Sequence, residues 1–392
     1  MPLSQDLDLI LDTVERADPS FGTVARETKD RHIEAVRQSA LQGKTDEFLL
    51  SAMSLLALAE NGHTRLIPNE AIRVLPCRFV SCGGSVFLTR VAGKGSGLPP
   101  ARLIAVNDVT VDVIEERMQP LLAGTRQRKR VTGPILMAWP AALSALGIST
   151  DAPTIRYRLQ YAAGRVSDLQ MPVTQTVPAT ELYPRNEHGL SEPDPGVRSF
   201  ASVMEWPDNC RAVALPSFFD EERHALRRAV SDAADNIRAV PGCRLVLDVR
   251  GNTGGSFLEA MPLADAVTSS CQSGHCTVLM DRFTFSAAIV FVAILKYRLG
   301  NRLTLVGEEP GDGLRFFAEG GLIELPVTGA LVRYSTALHD WESGSVDETT
   351  PPDIARHIVP VGNINTDRHW VQTPFDKSET TDIYRRFLDE MT

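Results

Sequence analysis

The sequence predicts a multi-domain α/β protein, and three observations support this fold class. A chain of 392 residues is too long for one ordinary core, so two or three domains are expected. The pattern of apolar residues changes along the chain, from helical periods to short alternating β-runs. From about residue 200, strand and helix patterns alternate, which is typical of a largely parallel sheet covered by helices.

Four segments follow from these patterns. Residues 1–62 have helical periodicity throughout and are predicted to form a helical N-terminal domain. Residues 63–175 contain short β-runs around a helical insertion, "VIEERMQPLLAGTRQRKRVTGPILMAWPAALSAL", and are predicted to form a β module. The proline-rich residues 176–199 are predicted to be a linker. Residues 200–392 are predicted to form an α/β domain.

The elements of this α/β domain can be assigned in order. The predicted strands are "CRAVALPSF", "CRLVLDVR", "CTVLMD" and "RLTLVGE". The predicted helices are "DEERHALRRAVSDAADNIRAV", "SFLEAMPLADAV" and the apolar run that begins at Ser286. Ligands of open parallel sheets bind beyond the carboxyl ends of the strands. The segments "RGNTGG" and "RFTFS" both follow strands, so we expect them to share one crevice.

Composition narrows the classes of partner. Apolar residues make up 43% of the chain and charged residues 23%, as in a folded soluble protein. The chain has 40 basic and 49 acidic residues and no dense Lys/Arg block, which argues against nucleic acid. No apolar run reaches the roughly 18–20 residues of a membrane span, and the N-terminus lacks the pattern of a secretion signal. We therefore predict a cytoplasmic protein without a membrane partner, and homo-oligomerisation stays open.

The six cysteines are scattered, and several lie in strand-like apolar runs. This distribution favours reduced core thiols over a disulfide framework. The segment "CQSGHC" could hold part of a metal site, but no second pair of ligands at zinc-like spacing accompanies it. We therefore predict no metal.

The glycine turn "LDVRGNTGGS" is the first candidate for chemistry. Glycines that open a helix after a strand present free backbone N–H groups, with the positive end of the helix behind them. Such donors suit a phosphate or a developing oxyanion. The turn matches neither the Walker loop nor the dinucleotide-binding fingerprint. A purely structural turn is the alternative.

Ser286 is the second candidate. A serine at the start of a helix is most often a cap. Here Ala287 and Ala288 follow, and small residues leave room for a carbonyl group beside the N–H of Ala287. No G-x-S-x-G motif is present, so an α/β-hydrolase is not expected.

A serine nucleophile needs a base at neutral pH. His63 follows a helix that is expected to end at Gly62, which would place "HTRL" at a defined corner on the surface. Six of the other histidines lie in charged helices or polar loops and are expected to be solvated. A solvated surface histidine is the alternative for His63 as well.

The motifs together resemble those of the tail-specific, or C-terminal-processing, serine peptidase family. "LVLDVRGNTGG", "TFSAA", "LVGEEPGDG" and "VDETTPPDI" occur in the family's order. "NGHTRL" is similar to the Asp-Gly-His-Thr signature of the branch that includes the tricorn core protease. "GSGLPPARLIAVNDVTV" resembles the last strands of the family's PDZ-like module. The matches span about residues 45–355.

The resemblance implies a fold for two of the segments and a set of catalytic residues. Residues 200–392 would have the Clp-protease/crotonase-type fold, and residues 63–175 would be PDZ-like. Ser286 would be the nucleophile, His63 its base and Glu348 the carboxylate that orients the imidazole.

Further details also follow from the resemblance. The oxyanion donors would be the N–H groups of Gly254 or Gly255 and of Ala287. Many family members have a lysine base where this chain has Asp312, so a Ser-Lys dyad is not expected. Asn61 stands where the tricorn-like signature has aspartate.

The implied function is that of a serine peptidase, or a peptidase-like hydrolase, that cleaves peptide or protein substrates by acyl transfer without a cofactor. Two alternatives remain. One is a non-catalytic binding protein on the same scaffold, as in the interphotoreceptor retinoid-binding proteins. The other is a crotonase-like enzyme acting on acyl thioesters, although the sequence lacks a basic patch suited to the phosphates of coenzyme A.

Overall fold

The computed structural model describes residues 2–67, 70, 72–93, 99–148, 152–183, 200–207, 209–220, 224–376 and 378–390. The chain divides into two compact units. The first consists of Met1–Ser191, Phe316–Ala337 and Gln372–Phe375, and the second of Glu192–Arg315, Leu338–Val371 and Asp376–Thr392. Both contain helices and sheets, so the expected mixed α/β architecture is confirmed.

The helices and strands have the following bounds. The helices are α1 (Ser4–Asp12), α2 (Arg26–Gln42), α3 (Thr45–Ala57), α4 (Val111–Met118), α5 (Arg126–Thr132), α6 (Pro140–Ala145), α7 (Ala179–Leu182), α8 (Ala225–Arg238), α9 (Phe257–Ser270), α10 (Ala287–Leu299), α11 (Pro352–Ala355) and α12 (Thr380–Asp389). The strands are β1 (Arg65–Ile67), β2 (Arg73–Val74), β3 (Cys77–Cys82), β4 (Ser85–Val91), β5 (Ala101–Val106), β6 (Val109–Thr110), β7 (Thr154–Tyr161), β8 (Val166–Pro172), β9 (Val177–Pro178), β10 (Ser202–Trp206), β11 (Cys210–Ala214), β12 (Arg244–Asp248), β13 (Cys276–Met280), β14 (Leu303–Gly307), β15 (Arg315–Ala318), β16 (Gly321–Glu324), β17 (Leu331–Tyr334), β18 (Ala337–Asp340) and β19 (Arg368–His369).

The first unit contains an antiparallel sheet with the strand order β3-β4-β5-β7-β8. The predicted helical insertion forms α4, α5 and α6 between β6 and β7. A second sheet, β1-β17-β16, is antiparallel and joins strands that are distant in sequence. Residues 316–337 therefore lie with the N-terminal part of the chain, although the sequence places them inside the predicted α/β domain.

The second unit contains a sheet with the order β10-β11-β12-β13-β14-β19. All neighbouring pairs from β11 to β19 are parallel, and only β10 is antiparallel to its neighbour. The predicted alternation of strands and helices over this region is confirmed. Part of the predicted helix that starts near Asp220 lies outside the described residues.

Burial explains the long apolar runs of the second unit. Every residue of β13 is buried, as expected for a central strand covered on both faces. Helix α10 is buried from Ala287 to Leu295, which fits a helix that is apolar all round. Helix α12 instead buries one face, formed by Ile383, Tyr384, Phe387 and Leu388. This face of α12 packs against buried residues of β11, β12, β13 and β14, the inner strands of the sheet.

All six cysteines are buried and carry free thiols, as predicted. Of the predicted linker, residues 177–182 form β9 and α7, and residues 184–199 lie outside the described part of the chain. Among the described helices, none has the length and apolar character required to cross a bilayer.

The contact between α12 and the sheet gives a stability prediction. Tyr384 is 1% exposed, and its hydroxyl donates to Asp248 Oδ2 at 2.8 Å. Replacing Tyr384 by Phe leaves Asp248 without this donor and should lower the free energy of unfolding by about 1–2 kcal/mol. The matched control is Tyr297→Phe, at a tyrosine that is 54% exposed, which should change it by less than about 0.5 kcal/mol. Equal effects of the two changes in chemical denaturation would contradict this role of Tyr384.

Candidate active site

Two turns lie at the carboxyl ends of β12 and β13, as the sequence predicted. The first, residues 249–256, links β12 to α9 and contains the glycine motif. The second, residues 281–286, links β13 to α10 and ends at Ser286. Phe285 N–H donates to Asn252 O at 3.0 Å, and Thr284 Oγ1 donates to Val249 O at 3.0 Å. The two turns therefore form one hydrogen-bonded surface.

Asp281 connects these turns. Its Oδ1 accepts hydrogen bonds from Gly251 N–H at 3.0 Å, Phe283 N–H at 2.9 Å and Thr284 N–H at 3.1 Å. Backbone N–H groups in such turns lack ladder partners, so a side-chain acceptor must satisfy them. One carboxyl oxygen thus fixes both the glycine turn and the serine turn.

Ser286 has an unusual backbone conformation. Its φ is +55° and its ψ is −125°, immediately before the first residue of α10. Residues other than glycine rarely adopt positive φ. Such strain is concentrated at functional sites, where the surrounding structure enforces it. Here the hydrogen bonds of the preceding residues Thr284 and Phe285 hold the turn. Ser286 precedes the helix in this conformation, and its side chain makes no capping hydrogen bond.

Gly254 lies against Ser286 and Ala287. A Cβ atom built on Gly254 would be 2.8 Å from Ser286 Cβ and 3.2 Å from Ala287 N. Only a residue without a side chain allows this approach, and the φ of Gly254, +111°, also requires glycine. The predicted crevice thus brings together Gly254, Ser286 and Ala287.

The two glycines differ in their hydrogen bonds. Gly254 N–H donates to Asn252 Oδ1 at 3.0 Å, and Asn252 itself is anchored by its amide, which donates to Leu215 O at 2.8 Å. Gly255 pairs with Phe218 in an isolated parallel bridge. Because the Gly254 N–H already has an acceptor, Gly255 is the better candidate for donation to a ligand.

A third loop, which follows β14, borders the serine turn. Gly311 N–H donates to Thr284 O at 2.8 Å, and Glu308 N–H donates to Met280 O at 3.2 Å. Arg282 Nη1 and Glu308 Oε2 form an ion pair at 2.6 Å. The motif "GEEPGDG" therefore supports the backbone around Ser286. Asp312, in this loop, is buried.

The end of β12 contacts the C-terminal helix α12 through Asp248 and Tyr384. Asp248 accepts from the guanidinium of Arg250 at 2.6 Å and from Tyr384. Burial, followed by the adjacent Asp248, raises the pKa of the Tyr384 hydroxyl far above its ordinary value, so this hydroxyl is a proton donor at neutral pH. The Arg250 guanidinium also lies 5.2 Å from the centroid of the Trp370 ring.

His63 belongs to the first unit, and its environment differs from the prediction. The residue was expected on the surface, but it is 1% exposed, and its ring stacks on Phe316 at 5.1 Å with an interplanar angle of 19°. Helix α3 ends at Ala57, and the residue with positive φ after it is Glu60, not Gly62. The chain therefore turns inward two residues earlier than expected, which brings "NGHT" into the interior.

The remaining predicted residues are located as follows. Glu348, in the second unit, is exposed on the loop between β18 and α11. The neighbouring Thr349 and Thr350 bond to the backbone of Leu338 at 2.9 and 3.0 Å. Lys296 Nζ donates to Asn363 Oδ1 at 3.1 Å. The assignment of Glu348 as the orienting carboxylate stays a prediction.

Sequence reasoning missed several supporting residues. Asp281 stands three residues before Thr284, and an Asp followed by Thr at that spacing is typical of a side-chain-stabilised turn, so this signal was present. Asp248 and Tyr384 are 136 residues apart, and no local pattern connects them. The strain at Ser286 likewise has no signature in residue types.

The role of Asp281 predicts different results for two substitutions. Asp281→Ala leaves the N–H groups of Gly251 and Phe283 without this acceptor, whereas the Thr284 N–H also donates to Asp281 O at 2.9 Å and keeps that partner. The free energy of unfolding should therefore fall by about 2 kcal/mol, because each donor left without an acceptor costs about 1–3 kcal/mol. Asp281→Asn keeps one carbonyl oxygen, which can occupy the position of Oδ1. Its loss of stability should therefore be less than half of the loss in Asp281→Ala. Equal destabilisation by Ala and Asn in urea titrations would contradict the single-oxygen arrangement.

Asp281 also gives a pH prediction. Burial raises the pKa of its carboxyl group from the ordinary 3.8, while Arg282 and the Gly251 N–H oppose that shift. A carboxyl group whose pKa is raised by folding contributes stability that is fully present below its unfolded-state pKa. This contribution is lost as pH rises through the folded-state pKa. Asp281→Asn lacks this titration. The free energy of unfolding of Asp281→Asn should therefore increase relative to that of the wild type as pH rises above the ordinary carboxyl pKa of 3.8. This assignment would be contradicted if the free energy of unfolding of Asp281→Asn decreased relative to that of the wild type with rising pH.

No protein-family model and no curated protein matches the sequence. Mature CPAF complexed with lactacystin matches with a TM-score of 0.56 and 12% identity, over 99% of this chain and 97% of that chain. A second structure of mature CPAF matches with a TM-score of 0.54 and 12% identity, over 98% and 96%.

The photosystem II D1 C-terminal processing protease also matches, over 93% of both chains with 16% identity, but its TM-score of 0.40 is too low to add to the fold assignment. At 12% identity the likeness to CPAF concerns the fold alone. The structural neighbours thus include CPAF and a C-terminal processing protease, and the chain has the fold of mature CPAF over almost its whole length.

Proposed function

We propose that the protein is a serine peptidase, or a peptidase-like hydrolase, with Ser286 as its nucleophile. The observation that carries this proposal is the strained conformation of Ser286 at the start of α10, with Gly254 and the Ala287 N–H against it. Strain of this kind exposes a nucleophile at a turn between a strand and a helix in other hydrolases. A structural serine would not require it.

The proposed chemistry is acyl transfer. Ser286 Oγ attacks the carbonyl carbon of a peptide bond, His63 takes the hydroxyl proton, and the same imidazole later gives a proton to the leaving amine. Glu348 is proposed to orient His63. Water then hydrolyses the acyl-enzyme by the same sequence of proton transfers.

The proposed oxyanion donors are the N–H groups of Gly255 and Ala287. Ala287 is the first residue of α10, so its N–H has no partner one turn earlier in that helix and benefits from the positive end of the helix. Gly255 is preferred to Gly254, because the Gly254 N–H donates to Asn252. Two such donors are worth several kcal/mol of transition-state stabilisation in characterised hydrolases, with about 3–4 kcal/mol for one donor.

The fold neighbours support this proposal. The CPAF structure with a TM-score of 0.56 is of the mature protein in complex with lactacystin. By extension, we propose that residues 200–392, apart from the segments 316–337 and 372–375 of the first unit, have the Clp-protease/crotonase-type fold, and that residues 63–175 are a PDZ-like module. The substrate would then be a peptide or protein, which needs neither metal nor cofactor.

Reaction with a fluorophosphonate probe tests the nucleophile. An activated serine oxygen bonds to phosphorus and fluoride leaves, so peptide mapping should locate the adduct on Ser286. Ser286→Ala should abolish labelling, and His63→Ala should slow it by about 100-fold or more, as expected for loss of a general base. Ser256→Ala, at another serine that immediately precedes a helix, is the matched control and should be labelled at the wild-type rate.

The outcomes separate the alternatives. Absence of an adduct on the folded wild-type protein would favour the non-catalytic binding protein. Labelling of Ser286 at an unchanged rate in His63→Ala would contradict the assignment of the base. Turnover of acyl thioesters without peptide cleavage would favour the crotonase-like enzyme.

Gly254 gives an independent prediction. In Gly254→Ala the new methyl group would lie 2.8 Å from Ser286 Cβ, so the serine must move. Labelling of Ser286 should fall by about 100-fold, because misplacement of a reacting group by about 1 Å has an effect of this size. The control is Gly84→Ala, which also has positive φ, +72°, but meets nothing within 4 Å. Normal labelling of Gly254→Ala would show that this packing does not position the nucleophile.

A further inference from the structure

A buried polar network surrounds the segment that contains His63 in the first unit. Asp18, Asn61, Thr64 and Ser335 are all at most 4% exposed. They come from three parts of the chain: the N-terminal region, the turn after α3, and the segment after β17. Buried polar side chains are retained when hydrogen bonds satisfy them, and such networks fix one local conformation.

Asp18 is the acceptor at the centre of this network. Its Oδ2 accepts from Thr64 Oγ1 at 2.5 Å and from Ser335 N–H at 2.9 Å. Its Oδ1 accepts from the N–H and the hydroxyl of Ser20. Both carboxyl oxygens are thus used, and Thr64 is the residue that immediately follows His63.

Asn61 completes the network on the other side of His63. Its Nδ2 donates to Thr64 Oγ1 and to Ser335 Oγ, each at 3.0 Å. Its Oδ1 accepts from Phe317 N–H at 3.3 Å. Phe317 follows Phe316, the residue on which the His63 ring stacks. The network therefore holds both the backbone that carries the imidazole and the backbone that carries the ring beneath it.

The count of protons explains why residue 61 is asparagine. Thr64 has one hydroxyl proton, and it is directed to Asp18. The Thr64 oxygen must then accept from residue 61, which an amide can supply and an ionised aspartate cannot. The tricorn-like signature has aspartate at this position, and here the carboxyl group of the network is provided by Asp18 instead.

We propose that Asp18, acting through Thr64 and Asn61, is the positioning residue for His63. This inference rests on the proposed function, because it gives Asp18 a role in catalysis only if His63 is the base. Asp18 does not touch the reacting atoms in this proposal. It sets the orientation of the imidazole by fixing the residues before and after it.

The chain offers a matched control. Asp6 is another fully buried carboxyl group of the N-terminal region, and its two oxygens accept from Val327 N–H at 2.8 Å and Thr328 N–H at 2.9 Å. Like Asp18, it accepts hydrogen bonds from the segment 316–337, but from Val327 and Thr328 and not from Ser335. Asp6→Asn should lower stability without changing the behaviour of His63.

The experiment measures the rate of fluorophosphonate labelling of Ser286 in the full-length chain, together with the thermal midpoint of each variant. Thr64→Val removes only the hydroxyl that links Asp18 to Asn61 and should slow labelling at least tenfold. Thr64→Ser keeps the hydroxyl and should label within threefold of the wild type. Asp18→Asn and Asn61→Asp should both slow labelling at least tenfold, although Asn61→Asp restores the residue of the tricorn-like signature.

The inference is supported if Thr64→Val, Asp18→Asn and Asn61→Asp each label more slowly than Asp6→Asn, although Asp6→Asn lowers the thermal midpoint by as much or more. Thr64→Ser should in addition recover the labelling rate. The inference is overturned if Thr64→Val labels like the wild type, or if labelling in every variant simply follows the thermal midpoint. His63→Ala distinguishes this failure from failure of the proposed function. Slow labelling of His63→Ala with normal labelling of Thr64→Val leaves the proposed function intact and removes only the role of Asp18.

Discussion

The hydrogen bonds to Asp281 Oδ1 are the interaction on which the candidate site depends. Strands β12 and β13 are adjacent and parallel, so their following turns start close together, but a sheet alone does not set the conformation of either turn. This one oxygen accepts from Gly251 in one turn and from Phe283 and Thr284 in the other. This common acceptor is what allows Ser286 to be held at positive φ beside Gly254.

In both units a carboxyl group accepts hydrogen bonds from irregular segments of the chain. Chain segments without regular secondary structure leave buried N–H and hydroxyl groups that must find acceptors. In the second unit Asp281 provides the acceptor for the turns around Ser286, and in the first unit Asp18 provides it for Thr64 and Ser335. In each case a carboxyl group that does no chemistry fixes the residue proposed to do it.

Much of the fold and part of the candidate site were predictable from sequence. The strand and helix patterns of the second unit gave β11 to β14 and α8 to α10 in order, because burial on both faces produces continuous apolar runs. The pairing of β1 with β17 was not predictable, since 268 residues separate Arg65 from its partner Arg333 and no local pattern encodes that contact. His63 was expected at the surface because the end of α3 was assigned to Gly62, whereas the chain turns at Glu60.

The most direct measurement is an experimental structure of the protein after reaction with the fluorophosphonate probe. The account predicts phosphorus bonded to Ser286 Oγ, with one phosphonyl oxygen about 2.7–3.1 Å from the backbone nitrogens of Gly255 and Ala287, the geometry of an oxyanion hole. The contrary result is an adduct whose oxygens all point away from these two nitrogens. That arrangement would mean that the crevice formed by the two turns does not stabilise the transition state of acyl transfer.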